Sequence, residues 1–285
     1  MPTIEDIILD KDGRGISALR SHLPTNFCTK AAQLILDNPG HAFICSGFYI
    51  LAAGAPETDG PPGAYLLGKT LQALGYRVTQ VTDIHSAFLY KDLPTPVEVL
   101  EFPIADVEAS KGYAQEALVK LKPSVVISTE RCGLTAKGRY LNMRGKDISA
   151  FNAKLDYLVL DHPNTVGIGD GGNEIGMGNL ASEIPEIPSL PSEPTTVTVS
   201  RLIIASVSNW GVHGLIAALS LLSNRNLLPS VEEEASLIRN MVDKGAVEGM
   251  TAEQVYSVDG FPLDDYAQCL TRLHALLKSE RLTSK

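Results

Sequence analysis

"TVGIGDGGNEIGMG", residues 165–178, starts as an apolar, β-branched run and ends in a string holding six glycines, with Asp170 and Glu174 set among them. Glycine weakens helices and strands unless the backbone must turn sharply or approach something closely, so the stretch reads as a buried strand entering a shaped loop. The same plan recurs along the chain. Runs rich in Val, Ile and Phe at 41–48 (HAFICSGF), 77–83, 97–102, 124–130, 165–169 and 201–208 alternate with segments of helical periodicity. That alternation predicts an α/β fold, a mostly parallel central sheet with helices on both faces.

Between the strands, "GAYLLGKTLQALG" (63–75) stops at Gly75 as a helix does, and 106–122 runs from the cap candidate Asp106 to the residue before Pro123. The C-terminal third reads as helical: 210–222, a segment opened by the capping box Ser230–Glu233, and 263–277. The proline-rich "SEIPEIPSLPSEP" (182–194) is expected to be an extended surface loop. At 285 residues with 44% hydrophobic content, and no stretch that divides it, the chain is expected to form one domain over 1–285.

The net charge of −9 argues against a nucleic-acid partner, because backbone binders cluster Lys and Arg against phosphates. Cys28, Cys45, Cys132 and Cys269 contain no CxxC pair, which suggests neither a zinc site nor a disulfide framework and fits a reducing interior. The acidic, mixed start "MPTIEDIILDKDGRG" resembles neither a secretory signal nor a transit peptide. The longest apolar segment lies in "GVHGLIAALSLL", short of the roughly 20 residues that span a bilayer. The expectation is an intracellular, cytoplasmic chain without a membrane partner.

Two nucleotide motifs are weak. "GAYLLGKT" (63–70) matches G-x-x-x-x-G-K-[ST], with Lys69 and Thr70 as the phosphate and magnesium binders, but no strand directly precedes it. Ala64, Leu67, Leu71 and Leu74 recur at helical spacing, so the match reads as the body of an amphipathic helix. Gly167, Gly169 and Gly172 form G-x-G-x-x-G between a strand and an expected helix; Asp170 then stands where a pyrophosphate needs positive charge.

Parallel sheets place their active crevice beyond the carboxyl ends of the strands. Polar clusters follow five of them: Glu57, Thr58 and Asp59; Asp83 and His85; Glu130, Arg131, Lys137, Arg139, Asn142 and Arg144; Asp170, Asn173 and Glu174; Ser208, Asn209 and Trp210. Asp59, Asp170 and Asn173 also suit turns and caps, and Glu57 a solvated loop. Glu130 and Arg131 end a buried strand, which is costly unless another charge compensates them. His213 reads as a core histidine and Trp210 as packing. Carboxylates mixed with arginines suit a small zwitterionic or dicarboxylic metabolite. Asp59, Asp170, Asn173 and Glu174 would equally suit a magnesium or manganese ion, hard cations that take oxygen ligands.

"ETDGPPGA" (57–64), "ER" (130–131) with "YLNMRG" (140–145), "GIGDGGNEIGMG" (167–178), "VSNWG" (207–211) and "SVDG" (257–260) resemble, in this order, the D-glutamate cyclase family, over residues 16–277. The resemblance implies conversion of D-glutamate to 5-oxo-D-proline and water, and brings in a mitochondrial location as the alternative to the cytoplasm. The chemistry then needs a base for the amine, charge neutralisation at the γ-carboxyl and a proton for the departing oxygen. Glu130 or Asp170 is the expected base, Glu174 the acid, and Arg131 and Arg144 the carboxylate grips. Gly169, Gly171, Gly172 and Asn173 would supply N–H donors, with Glu57, Thr58, Asp59, Asn142, Ser208 and Asn209 around the substrate. A non-catalytic amino-acid or carboxylate-binding protein and a nucleotide-dependent enzyme are the alternatives.

Overall fold

A computed structural model describes residues 2–280 and Leu282. Six strands form the central sheet: β1 His41–Cys45, β2 Arg77–Thr82, β3 Glu98–Glu101, β4 Val125–Thr129, β5 Thr165–Gly169 and β6 Arg201–Ile204. Their order is β3-β2-β1-β4-β5-β6, and every neighbouring pair is parallel. Burial on both sides explains the apolar runs of the central strands β1, β4 and β5, buried at every position, whereas the edge strand β3 carries Glu98 and Glu101 at exposed positions. In β1, Ala42 and Ile44 join one core with Ile35, Leu67, Leu71 and Leu215, while Phe43 and Cys45 face the other with Ala114, Ala117 and Leu158.

The helices are α1 Ile4–Ile8, α2 Phe27–Asp37, α3 Pro61–Ala73, α4 Val107–Leu121, α5 Asp156–Val159, α6 Ser208–Ser223, α7 Val231–Asp243 and α8 Leu263–Ser279. Residues of α2, α3 and α6 build the first core, and those of α4 and α5 the second. α6, α7 and α8 form the helical C-terminal third. Asp106 caps α4 through Ala109 N at 2.8 Å, and Ser230 caps α7 through Glu233 N at 3.1 Å. Trp210 is packing, 5.0 Å from the Phe261 ring, and the buried His213 meets Glu234 Oε1 at 2.7 Å.

Three expectations need amendment, and a fourth, the helical reading of 63–70, is met. The strand expected over 201–208 stops at Ile204, because the Ser208 and Asn209 N–H groups are drawn onto Asp59 and open α6. The 182–194 insert is not an extended surface loop: Ile184–Glu186 form a short 3₁₀ turn, and Ile184 and Leu190 are buried in the core. Gly167, Gly169 and Gly172 do not open an α-helix; a four-residue 3₁₀ turn, Met177–Leu180, follows instead. Residues 63–70 lie inside α3, their N–H groups in helical surroundings rather than in a phosphate cradle. Lys69 there pairs with Glu233 on α7.

Gly178 shows what the last glycines of the opening stretch are for. A Cβ there would stand 2.5 Å from the carbonyl oxygen of Val197, whose oxygen also accepts from Gly176 N and Gly178 N. Backbone cannot give way as a flexible side chain can. Gly178→Ala is therefore expected to destabilise the chain by about 1–3 kcal/mol, read as a lower urea midpoint. An unchanged midpoint would refute this close packing.

Candidate active site

The strand order reverses between β1 and β4, and in doubly wound sheets the ligand crevice opens there, beyond the carboxyl ends. A cavity of about 370 Å³ lies in that position, with Arg14, Glu57, Glu130, Asp170, Asn173 and Asp259 among its lining residues. Glu130 follows the last residue of β4 and has φ 43°, in the left-handed region that non-glycine residues seldom occupy. Such backbones cluster at functional sites because the surrounding structure must hold them. Ser208 Oγ donates to Glu130 Oε2 at 2.6 Å, orienting the carboxyl.

Asp59 is fixed by the start of α6, accepting from Ser208 N and Asn209 N at 2.8 Å and from Gly60 N at 3.0 Å. Asn209 ties the same corner, accepting from Gly60 N and Gly63 N at 3.0 Å and donating to Thr58 O at 3.2 Å. Thr58 Oγ1 donates to Ser257 O at 2.8 Å. Thr58 and Asn209 thus hold backbone in place around Asp59, as does the Ser208 N–H.

In the glycine-rich loop, Glu174 folds back so that Oε2 accepts from Gly172 N at 2.8 Å. A Cβ at Gly169 would stand 2.8 Å from Glu174 Oε2, and one at Gly171 would stand 2.7 Å from Oε1 and 2.4 Å from Met143 Sδ. The glycines make room for a buried carboxylate. Asp170 faces the cavity, where Arg14 Nη1 donates to its Oδ1 at 2.5 Å, and Arg14 Nη2 donates to Asp259 Oδ2 at 2.8 Å.

Charge is out of balance here. Glu57, Asp59, Glu130, Asp170 and Glu174 are all buried, and Glu57 Oε1, Asp170 Oδ2 and Glu174 Oε1 have no hydrogen-bond partner among the described residues. Burial pushes the Glu57 and Glu130 carboxyls well above the usual carboxylate range, and neighbouring acids push the same way. Burial likewise raises Asp170, with Arg14 opposing it, and raises Glu174 against the pull of its backbone donors. Asp59 is pushed up to about 7 by burial and by Asp259. Such a set holds its protons to higher pH than isolated carboxylates do.

For Asp59 the folded value of about 7 lies above the ordinary 3.8, so between those pH values the folded chain keeps a proton that the unfolded chain has lost. Stability must therefore fall as pH rises through that window, by about 1.4 kcal/mol per pH unit per proton. Asp59→Asn is expected to flatten the fall by about one proton in urea unfolding measured from pH 4 to 8. An identical slope in the variant would refute it.

The two arginines expected to grip carboxylates are placed differently from each other. Arg131 is buried beneath the site, donating from Nη1 to Gly47 O at 2.6 Å and from Nη2 to Asp83 Oδ2 at 2.6 Å and Ala153 O at 2.8 Å. It is not among the residues lining the cavity, and its charge is met by Asp83, the compensation that a charged strand end demands. Arg144 lines the rim, its Nη2 donating to Met250 O at 3.3 Å, and Asn142 beside it accepts from Arg144 N and Lys146 N at 3.0 Å. Lys137 and Arg139 pair with Glu193, and His85 packs on Tyr49. Arg14 and Asp259 were not among the residues singled out from sequence. The signal for Arg14 was the turn "DGRG", in which Asp12 accepts from the N–H groups of Arg14, Gly15 and Ser17.

Asp59, Glu130 and Asp170 each offer an oxygen within 4.8 Å of the others'. The unpartnered Asp170 Oδ2 and the all-oxygen donor set fit a hard divalent cation. No helix among the described residues is long and apolar enough to cross a membrane.

Fold and cavity together define a doubly wound α/β protein with a carboxylate-rich cavity at its topological switch point. The chain belongs to the D-glutamate cyclase-like, C-terminal family, whose model matches residues 4–274. It is similar to the mitochondrial D-glutamate cyclase of Homo sapiens, at 27% identity over 309 residues, covering 93% of this chain and 50% of that protein. The chain thus spans half the length of that relative.

Proposed function

We propose that the chain is a lyase that closes D-glutamate to 5-oxo-D-proline with loss of water. The observation that carries this reading is the set of buried, proton-sharing carboxyls facing Arg14 across one cavity, in a chain of this family. Ring closure forms a bond from the α-nitrogen to the γ-carboxyl carbon, breaks a carbon–oxygen bond there, and moves two protons from nitrogen to the departing oxygen. A site that both holds and accepts protons near neutrality suits that traffic.

Asp170, one of the two acids that Arg14 directly contacts, is the member assigned to take a proton from the ammonium group. Glu130, surrounded by other acids and oriented by Ser208, is the protonated member that supplies the departing oxygen. Arg14 receives the α-carboxylate, in the role that sequence assigned to Arg131. Arg144 and Asn142 stand at the rim for the γ-carboxyl, and the Asp170 and Asn173 N–H groups, in the loop that Glu174 shapes through Gly172 N, are the donors for the developing oxyanion. Asp59, Glu130 and Asp170 would hold a magnesium or manganese ion, which when bound supplies Lewis-acid neutralisation of the carboxyl group.

Incubation with D-glutamate tests the reading by chromatography of the lactam, with and without exhaustive chelation. The expected result is 5-oxo-D-proline formation, with the chelated sample slower. Thermal stabilisation by D-glutamate without lactam would convert the reading to that of a binding protein.

A further inference from the structure

We propose that the preferred substrates are γ-amides of glutamate with an apolar amine portion, closed to 5-oxoproline with release of the amine. This rests on the ring-closing reading above and changes the group that leaves. Charge is the first argument. Free glutamate brings two carboxylates into a cavity whose floor already holds Glu57, Glu130, Asp170 and Asp259, and whose lining carries two guanidinium groups, Arg14 and Arg144. Arg14 is already bound to two acids, and Arg144 donates to a backbone carbonyl. A γ-amide presents one carboxylate and a neutral carbonyl, so it removes one uncompensated charge from a buried acidic site.

Shape is the second argument. At about 30 Å³ per water, a cavity of about 370 Å³ has room for on the order of a dozen waters, more than the short chain of glutamate displaces. The remaining volume is bordered by Tyr49, Ile50, Leu51, Met143, Met250 and Ala252, apolar side chains above a charged floor. Leu51 is 40% exposed and Met250 51% exposed, on different loops bordering this one cavity. A contiguous apolar rim over a polar centre is the form expected where a ligand carries a charged head and an apolar tail. Its continuity with the reaction centre assigns it to the leaving portion rather than to a separate partner.

The step balances without a further reactant. The α-nitrogen bonds to the γ-carbonyl carbon, the bond from that carbon to the amide nitrogen breaks, and two protons pass from the attacking to the departing nitrogen. The products are 5-oxoproline and a protonated amine. Glu130 donates to the departing nitrogen and Asp170 accepts from the attacking one, as in the closure of free glutamate.

The test compares D-glutamate, D-glutamine and γ-D-glutamyl-isopentylamide on the full chain, measuring 5-oxoproline together with release of ammonia or isopentylamine. The expected order of kcat/KM is γ-D-glutamyl-isopentylamide, then D-glutamine, then D-glutamate, with at least about a tenfold span between the first and the last. D-glutamate turned over as fast as either amide would overturn the inference and leave the lyase reading intact; turnover of none would remove both. Leu51→Asn and Met250→Asn are expected to lower the ratio of γ-D-glutamyl-isopentylamide to D-glutamine turnover by about tenfold. An unaltered ratio in both variants would overturn the assignment of the rim.

Discussion

Glu130→Gln is expected to lower kcat for ring closure by about 10²- to 10⁴-fold, the range that one positioned proton carrier contributes. The amide keeps the size of the side chain and can still meet Ser208 Oγ, now 2.6 Å from Glu130 Oε2, but it cannot deliver a proton. Burial and four neighbouring acids push the native carboxyl well above the usual carboxylate range, so on the proposed mechanism the variant removes a proton donor rather than a fixed charge. KM should change much less than kcat, because the loss falls on the step and not on the grip. Lactam formation under saturating substrate, with near-ultraviolet circular dichroism as the check on folding, measures this. A folded variant that retains turnover within a few-fold would remove Glu130 from the chemistry.

Arg14→Gln is expected to lower kcat/KM by about 10²-fold or more, chiefly through KM. Truncating one partner of a buried charge pair costs about 2–5 kcal/mol, and each 1.4 kcal/mol is about a tenfold effect. A second effect separates this role from mere scaffolding. Arg14 opposes the rise of the Asp170 carboxyl, so its loss should move that group further up, and the acid limb of the kcat/KM profile should shift to higher pH. Arg14→Lys should recover part of the binding and return the limb toward its original position. A profile that does not move in Arg14→Gln would leave Asp170 without the proposed function as base.

The sheet was legible in the sequence because both its faces are covered: a strand such as His41–Cys45 is buried at every position and apolar after its first residue, a short run bounded by turn residues. The acids were legible for a related reason, since Glu130 and Asp170 directly follow buried strands and can point only into the crevice beyond them. Arg14 was not. It sits in a polar N-terminal turn with no strand before it, and its partners Asp170 and Asp259 are distant in sequence, a pairing that only tertiary structure creates. Arg131 misled for the opposite reason: adjacent residues at a strand end project in different directions, so Glu130 enters the cavity while Arg131 turns beneath it to Asp83. The 182–194 insert looked solvated because proline dominates its composition, yet Ile184 and Leu190 anchor it, and Ser189 Oγ donates to Arg14 O at 2.5 Å.

The backbone of Glu130, at φ 43°, has one more consequence. Asparagine tolerates that region better than glutamate does, so Glu130→Asn should relax the main chain while deleting the reactive group. Such a chain would be hardier than the wild type and inert, and therefore suited to trapping an unreacted ligand in a crystal.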